Sequence, residues 1–240
     1  MTWEVELVRH LAAHGAPVAR VVADPFVLDG RMAVLTEWAP GSKPSPSTST
    51  YELLGSTAAR IHAAADSFSR PTYRVYDLSV LIDEQLARMR PLLDEIGRYD
   101  TVVALTDRLR PMVASPSLDA GVCHIDLTLD NVHRDGDAMI AFDFDSSGWS
   151  WRAFEPYGVL LYSQMTGERW FADWLRGYRS VRPFSATDER AVSAFAVIGD
   201  LRVVAWKAGV AESSQGEPEL DLTGLDQAVD GWVALTDACA

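Results

Sequence analysis

The stretch HIDLTLDNVHRDGDAMIAFDFD, residues 124–145, gathers carboxylates and an amide around one turn signal. Within it NVHRDGDAMIAFD reads as strand, turn, strand, with the turn at Asp135, Gly136 and Asp137. Antiparallel pairing of those strands sets Asn131, entering the first, beside Asp143, leaving the second. An amide oxygen and a carboxylate so placed suit Mg²⁺, which takes one or two protein oxygens and completes its octahedron with water and phosphate oxygens. Asp126, five residues before Asn131, falls in a loop where its carboxylate can accept the proton of a substrate hydroxyl. Asp145 follows Asp143 by two, so in an extended segment it points to the same face; assistance to the metal and capping of the adjoining SSG turn are both open to it. A base and a metal site are the parts that phosphoryl transfer to an alcohol requires.

These residues need elements to position them, and the hydrophobic periodicity supplies candidates. WEVELVRHLAAH, 3–14, places Val5, Val8, Leu11 and Ala12 at helical spacing before a Gly15 and Pro17 stop. VARVVADPFVLDGRMAVLTEW, 18–38, has a DG turn between two apolar runs and reads as a hairpin. APGSKPSPSTST, 39–50, breaks the periodicity, which predicts a small lobe over 1–40, a hinge over 41–50 and a larger lobe over 51–240. Helical spacing recurs in YELLGSTAARIHAAA, VLIDEQLARMRPLLDEI, TVVALTDRLR, RWFADWLRGYRSV, ATDERAVSAFAVIGDLRVVAWKAGVA and LDQAVDGWVALTDAC, so the larger lobe is mostly helical, with a kink at Pro91. ESSQGEPELD, 212–221, reads as a solvated loop. Trp170, Trp174, Trp206 and Trp232 are assigned to the core, and His133 to a strand surface.

Bulk composition narrows the partners. A formal net charge of −13 opposes nucleic acid and anionic membranes, and leaves cationic or neutral molecules as the better fit. No apolar run is long enough to span a bilayer, and MTWEVELVRH carries acids where a signal peptide would be basic, so a cytoplasmic location is expected. Cys123 and Cys239 lack metal-type spacing and read as free thiols.

The order His124, Asp126, Asn131, then Asp143 with Phe144, matches a kinase catalytic loop followed by its D-F-x metal motif. The chain resembles the aminoglycoside phosphotransferase and choline kinase superfamily. Its nearest pattern is a bacterial phosphotransferase branch with HGDLHxxN and then FDFDxxGxGWRAYDLA, matched here by HIDLTLDN and FDFDSSGWSWRAFE. VELVRHLAAHGAPVARVV, AVLTEWAPG and WLRGYRSVRPFS extend the likeness over most of the chain. The resemblance implies an α+β, protein-kinase-like fold, with a reduced small lobe and a large helical one. It implies Asp126 as catalytic base, His124 bracing the loop, Asn131 and Asp143 as Mg²⁺ ligands, and main chain at Glu37, Trp38 and Ala39 facing the adenine of ATP. His62 resembles a family-typical histidine and is assigned a structural role.

Departures from the pattern are equally plain. Ile125 replaces a glycine, Thr128 a histidine, and Glu155 with Pro156 an Asp-Leu pair. Related kinases carry a phosphate-covering loop and a strand lysine ahead of the first long helix. Here Lys43 and Lys207 are the only lysines, and neither can take that place by sequence order, so Glu4 stands where the helix glutamate would without its lysine. Two functions follow. The first is an ATP- and Mg²⁺-dependent phosphotransferase acting on a hydroxyl of a small molecule or peptide, with Asp126 as base. The second is a kinase-like binding or scaffold protein, a pseudokinase that does not turn over ATP by itself and whose small lobe a partner protein or a second copy would complete.

Overall fold

A computed structural model describes residues 2–71, 74–210 and 220–238. The elements run α1 (Thr2–Ala13), β1 (Phe26–Leu28), β2 (Arg31–Ala33), α2 (Thr48–Ala65), α3 (Glu84–Glu95), α4 (Tyr99–Val113), β3 (Ala120–Cys123), β4 (Val132–Asp135), β5 (Ala138–Ala141), β6 (Gly148–Trp151), α5 (Tyr157–Thr166), α6 (Trp170–Arg179), α7 (Ala186–Lys207) and α8 (Leu222–Ala238). The fold is α+β, as the sequence pattern predicts. It divides into two compact units, one of residues 1–75 with 119–185 and the other of 76–118 with 186–240.

The first unit holds every strand among the described residues. β1 and β2 pair antiparallel about Asp29 and Gly30, both at positive φ, as a DG turn requires. Their apolar residues remain uncovered: Phe26, Val27, Leu28 and Met32 are all exposed. β4 and β5 pair with Val132 opposite Ala141 and Asp135 opposite Ala138, leaving Gly136 at φ 58° in the turn. Residues 17–19 lie alongside β5, where Ala141 N–H donates to Pro17 O and Ala19 N–H to Ala141 O, both at 2.9 Å. Ser42 exchanges main-chain bonds with Arg134 of β4, so the Pro- and Ser-rich connection is docked at that point. β3 and β6 form a third antiparallel pair; these strands and α5 are additions to the sequence reading, each too short or too weakly periodic to show there.

α2 begins where Ser47 Oγ accepts the Thr50 N–H, and it buries Leu54, Ala58 and Ile61. α6 crosses α2 with Gly177 against Glu52 and Gly55 against Trp174. Trp174 and Tyr178, both buried, fill the space beside that crossing.

The second unit is helical. Leu81, Ile82, Met89, Leu93, Val102 and Leu109 share its core with Val192, Phe195, Leu201 and Trp232, whose indole donates to Asp200 at 2.8 Å. α3 runs through Pro91 and is preceded by a widened π turn over Ser79–Asp83. The assignment of tryptophans to the core holds for Trp174 and Trp232 but needs correction for Trp170, which is half-buried, and for Trp206, which is 41% exposed near the last turn of α7. Cys123 is free and buried, and Cys239 lies outside the described residues, as does most of the 212–221 loop. Among the described residues no helix is long and apolar enough to cross a membrane.

Candidate active site

β3 delivers the chain to His124, and the β4–β5 hairpin carries Asn131 and Asp143 at its open end, so short-range structure already brings the motif together. Asn131 Nδ2 donates to the carbonyl of Asp126 at 2.8 Å and to its carboxylate at 2.9 Å. Both partners are acceptors, which fixes the amide so that Oδ1 faces elsewhere. Asn131 O accepts the Phe142 N–H at 3.0 Å, one residue before Asp143. Asp143 adopts a left-handed conformation, φ 64° and ψ 64°, and turns into a short 3-10 segment, Phe144–Ser146. Its carboxylate is held above the ordinary range by partial burial and by the neighbouring Asp145.

His124 is buried. Its Nε2–H donates to Phe142 O at 3.0 Å and its ring packs on Phe144 at 4.4 Å, so one side chain ties the Asp126 loop to the segment bearing Asp143. His62, from α2, is buried too, and it does more than fill space. Its Nε2 lies 3.1 Å from Glu155 and its Nδ1 2.8 Å from the Tyr178 hydroxyl. Burial, with Arg152 and Arg182 nearby, holds His62 below its usual pKa in spite of Glu155, and burial pushes Tyr178 up. Neutral His62 therefore donates from Nε2 to the carboxylate and accepts the Tyr178 proton at Nδ1.

Glu155 is the residue that sequence reasoning passed over, having been noted only as a departure. Its carboxylate accepts the main-chain N–H of His124 and of Ile125, each at 2.9 Å, besides the His62 bond. Burial alone would raise its pKa, but the His62 hydrogen bond and the His124 main chain outweigh it and leave it lowered. A lone acid between Phe154 and Pro156 in an apolar run was the available signal. Beside it Arg152, 3% exposed, grips Asp119 at 2.9 and 3.1 Å and pairs with Asp66, while Arg182 bonds the same two carboxylates.

This cluster gives a signed pH dependence. His62 is depressed in the fold, so the unfolded chain takes up its proton first, and stability is lost as pH falls below the ordinary histidine value of 6.5. Glu155, Asp66 and Asp119 are also depressed, so a second loss begins below the ordinary carboxylate values of 4.5 and 3.8 and continues through their folded pKa values. Thermal unfolding followed at fixed ionic strength should show the midpoint falling in two stages from pH 7 to 3. His62→Gln should remove the first stage and keep the second.

Two cavities flank the motif. One, of about 400 Å³, is lined by Asp126 and Asp130 with Tyr51, Leu54, Tyr157 and Tyr162, and Lys43 at its rim pairs with Asp130. The other, of about 290 Å³, is lined by Glu4, Val5 and Val8 of α1, Val34 and Thr36, and Phe142 to Asp145. Its lining holds three carboxylates and no lysine or arginine. Glu4 nevertheless has a cationic partner, Arg74 at 3.5 Å, where the sequence reading leaves it without one.

Of the residues expected to face adenine, none lines either cavity. Glu37 N–H donates to Arg20 O at 2.8 Å, Ala39 O accepts from His133 Nδ1 at 2.8 Å, and Trp38 is 81% exposed. His133, read from sequence as a strand surface residue, is half-buried between Trp38 and Phe142.

The oxygen set at Asn131, Asp143 and Asp145 fits a hard divalent cation. Asp143 and Asp145 share the lining of one cavity, and two carboxylates with an amide oxygen are donors that Mg²⁺ or Ca²⁺ accepts.

A model of the phosphotransferase enzyme family matches residues 1–195. The chain is 31% identical over 228 residues to an uncharacterized protein of Deinococcus radiodurans, covering 86% of this chain and 66% of that protein. It is 29% identical over 181 residues to amicoumacin kinase of Bacillus subtilis, covering 68% and 52%. The chain thus spans between half and two thirds of the length of these curated relatives. Among solved structures, amicoumacin kinase hAmiN in complex with AMP-PNP, Ca²⁺ and Ami superposes with a TM-score of 0.72 at 21% identity, over 98% of this chain and 76% of that one, a likeness of fold.

Proposed function

The chain belongs to the phosphotransferase enzyme family, and from that premise we propose that it transfers the γ-phosphoryl group of ATP to a hydroxyl of a small molecule. The observation carrying this reading is that Asp126, held by two hydrogen bonds from Asn131, opens on the larger cavity while Asp143 and Asp145 line the other. The acceptor alcohol enters the first cavity. Its oxygen attacks the γ-phosphorus in line, the bond from that phosphorus to the bridging oxygen of ADP breaks, and the hydroxyl proton passes to the Asp126 carboxylate. Asn131 orients the carboxylate, and His124 keeps the Asp126 loop in register with Asp143. Asn131 Oδ1, Asp143 and Asp145 would hold Mg²⁺, which when bound neutralises charge developing on the phosphate oxygens. Kinase names among the relatives support the class of reaction. The division into a small lobe, a hinge over 41–50 and a helical lobe belongs to the same proposal.

A second reading, a binding protein that does not turn over ATP, is favoured by the cavity beside Asp143, whose described lining residues present three carboxylates and no lysine or arginine to a triphosphate. One experiment separates the two. ADP release is measured with ATP, Mg²⁺ and a panel of hydroxyl-bearing small molecules, alongside calorimetric titration of Mg²⁺ and ATP. ADP formation that requires both the alcohol and Mg²⁺ is the expected result. No turnover across the panel, together with no nucleotide binding by the folded chain, overturns the first reading in favour of the second.

A further inference from the structure

The cavity that opens on Asp126 is walled by apolar groups: Pro44 and Pro46 ahead of α2, Leu54 within it, Leu127 and Leu129 after β3, and Val159 of α5. Tyr51 and Tyr157 complete the wall, and each ring is backed by another. Tyr51 stacks on Trp170 with centroids 5.1 Å apart, and Tyr157 on Phe154 at 4.9 Å. Both tyrosines are buried, so the stacks present fixed apolar surface to whatever enters. Burial and the neighbouring Tyr162 push the Tyr51 hydroxyl up to about 12, which keeps it protonated and neutral.

The charges of the lining are matched within the protein. Lys43 pairs with Asp130 at the rim. Glu155 spends both oxygens on the His124 and Ile125 N–H groups, at 2.9 Å each, and on His62. That leaves Asp126, which accepts from Asn131 at 2.9 Å and is the group the acceptor hydroxyl must reach. Among the described lining residues no other carboxylate remains for an ammonium group, and no cation besides Lys43 for an anion. A charged ligand body would give up its water there without a counter-charge, whereas an apolar body gains by leaving water. The volume, about 400 Å³, lies at the small end of the range of ligand pockets, roughly 300–1,000 Å³.

We infer that the acceptor is an uncharged alcohol with a compact apolar body, branched or ring-sized, and that Lys43 enforces the choice by cancelling Asp130. The inference rests on Asp126 acting as the base, and narrows that reading from any hydroxyl to one chemical class. Lys43 is thereby a specificity residue: without it, Asp130 would offer a carboxylate at the cavity mouth to an amine.

A matched pair of probes tests it. Choline and neohexyl alcohol share their shape and hydroxyl, and differ in a charged nitrogen against a carbon. Binding of each to the full chain is measured by ligand-observed NMR titration, without ATP, in the parent and in Lys43→Met. The expected result is that neohexyl alcohol binds the parent at least about tenfold more tightly than choline. Lys43→Met should narrow that ratio by about 3- to 10-fold, a modest shift because the rim is solvated. Along the linear alcohols from butanol to heptanol, Kd should fall by about three- to fourfold per methylene until the cavity is full.

Choline binding as tightly as its carbon isostere, or no binding of either probe, overturns the inference. A ratio that Lys43→Met leaves unmoved overturns the role of Lys43. Phosphoryl transfer to the same probes is followed separately by ADP release. Selective binding of the neutral alcohol with no transfer would remove Asp126 as base and keep the cavity's preference, whereas transfer to choline in preference to neohexyl alcohol would keep the base and overturn the substrate class.

Discussion

Asp126→Asn should lower the rate of phosphoryl transfer by about 10²- to 10⁴-fold, the range general-base catalysis supplies. The substitution is nearly isosteric, and the Asn131 Nδ2 bonds at 2.8 and 2.9 Å can persist, one to the main-chain carbonyl and one to the new amide oxygen. What disappears is the capacity to take the proton as the alcohol oxygen attacks. The loss should therefore fall on kcat, with the KM for ATP little changed, because Asp143 and Asp145, the carboxylates proposed for the nucleotide side, line a different cavity. Steady-state kinetics with any alcohol that supports turnover, together with the melting temperature of the variant, make the check. A variant retaining more than about a third of the parent rate would remove Asp126 from the role of base.

Gly177→Ala should be the most damaging single-methyl change in the first unit. A Cβ at that position would stand 1.8 Å from the carbonyl oxygen of Glu52, and one at Gly55 would stand 2.0 Å from that of Trp174. Both obstacles are backbone, so neither can swing aside. The α2 and α6 axes would have to separate, undoing the packing of Trp174 and Tyr178. A loss of about 3 kcal/mol or more is expected, lowering the melting temperature by about 6–12 °C for a chain of this size. Gly231→Ala provides the control. That glycine lies within α8 with nothing inside 4 Å of its added Cβ, so the better helix former should stabilise by about 0.8–1 kcal/mol. Equal effects from the two substitutions would show that the close crossing of α2 and α6 has been misread.

Both predictions draw on features of different legibility. The spacing of His124, Asp126, Asn131 and Asp143, the DG turns at Asp29 and Asp135, and the apolar periodicity of seven helices are local signals, and the folded chain keeps them as hairpins and helices near their expected bounds. These follow from sequence because a turn residue or a helical stripe acts on neighbours a few positions away. β3, β6 and α5 were not legible. A four-residue strand that finds its partner 25 or more positions later leaves no periodicity long enough to detect.

Nothing local marked Glu155 as the acceptor for His124 and Ile125, 31 and 30 residues before it, or linked it to His62 at a separation of 93. Nor did spacing show that Glu4 would meet Arg74, or that Trp206 would face outward while Trp174 and Trp232 were buried. The sequence by itself determined the candidate groups, the Asp126 carboxylate, the Asn131 amide and the carboxylates of Asp143 and Asp145, at fixed offsets. Only the tertiary structure decided which of them share a cavity and what buried charge holds the loop in place. The reason is that desolvation and close packing act between elements brought together by the whole fold, and a side chain's surroundings there are set by residues far along the chain.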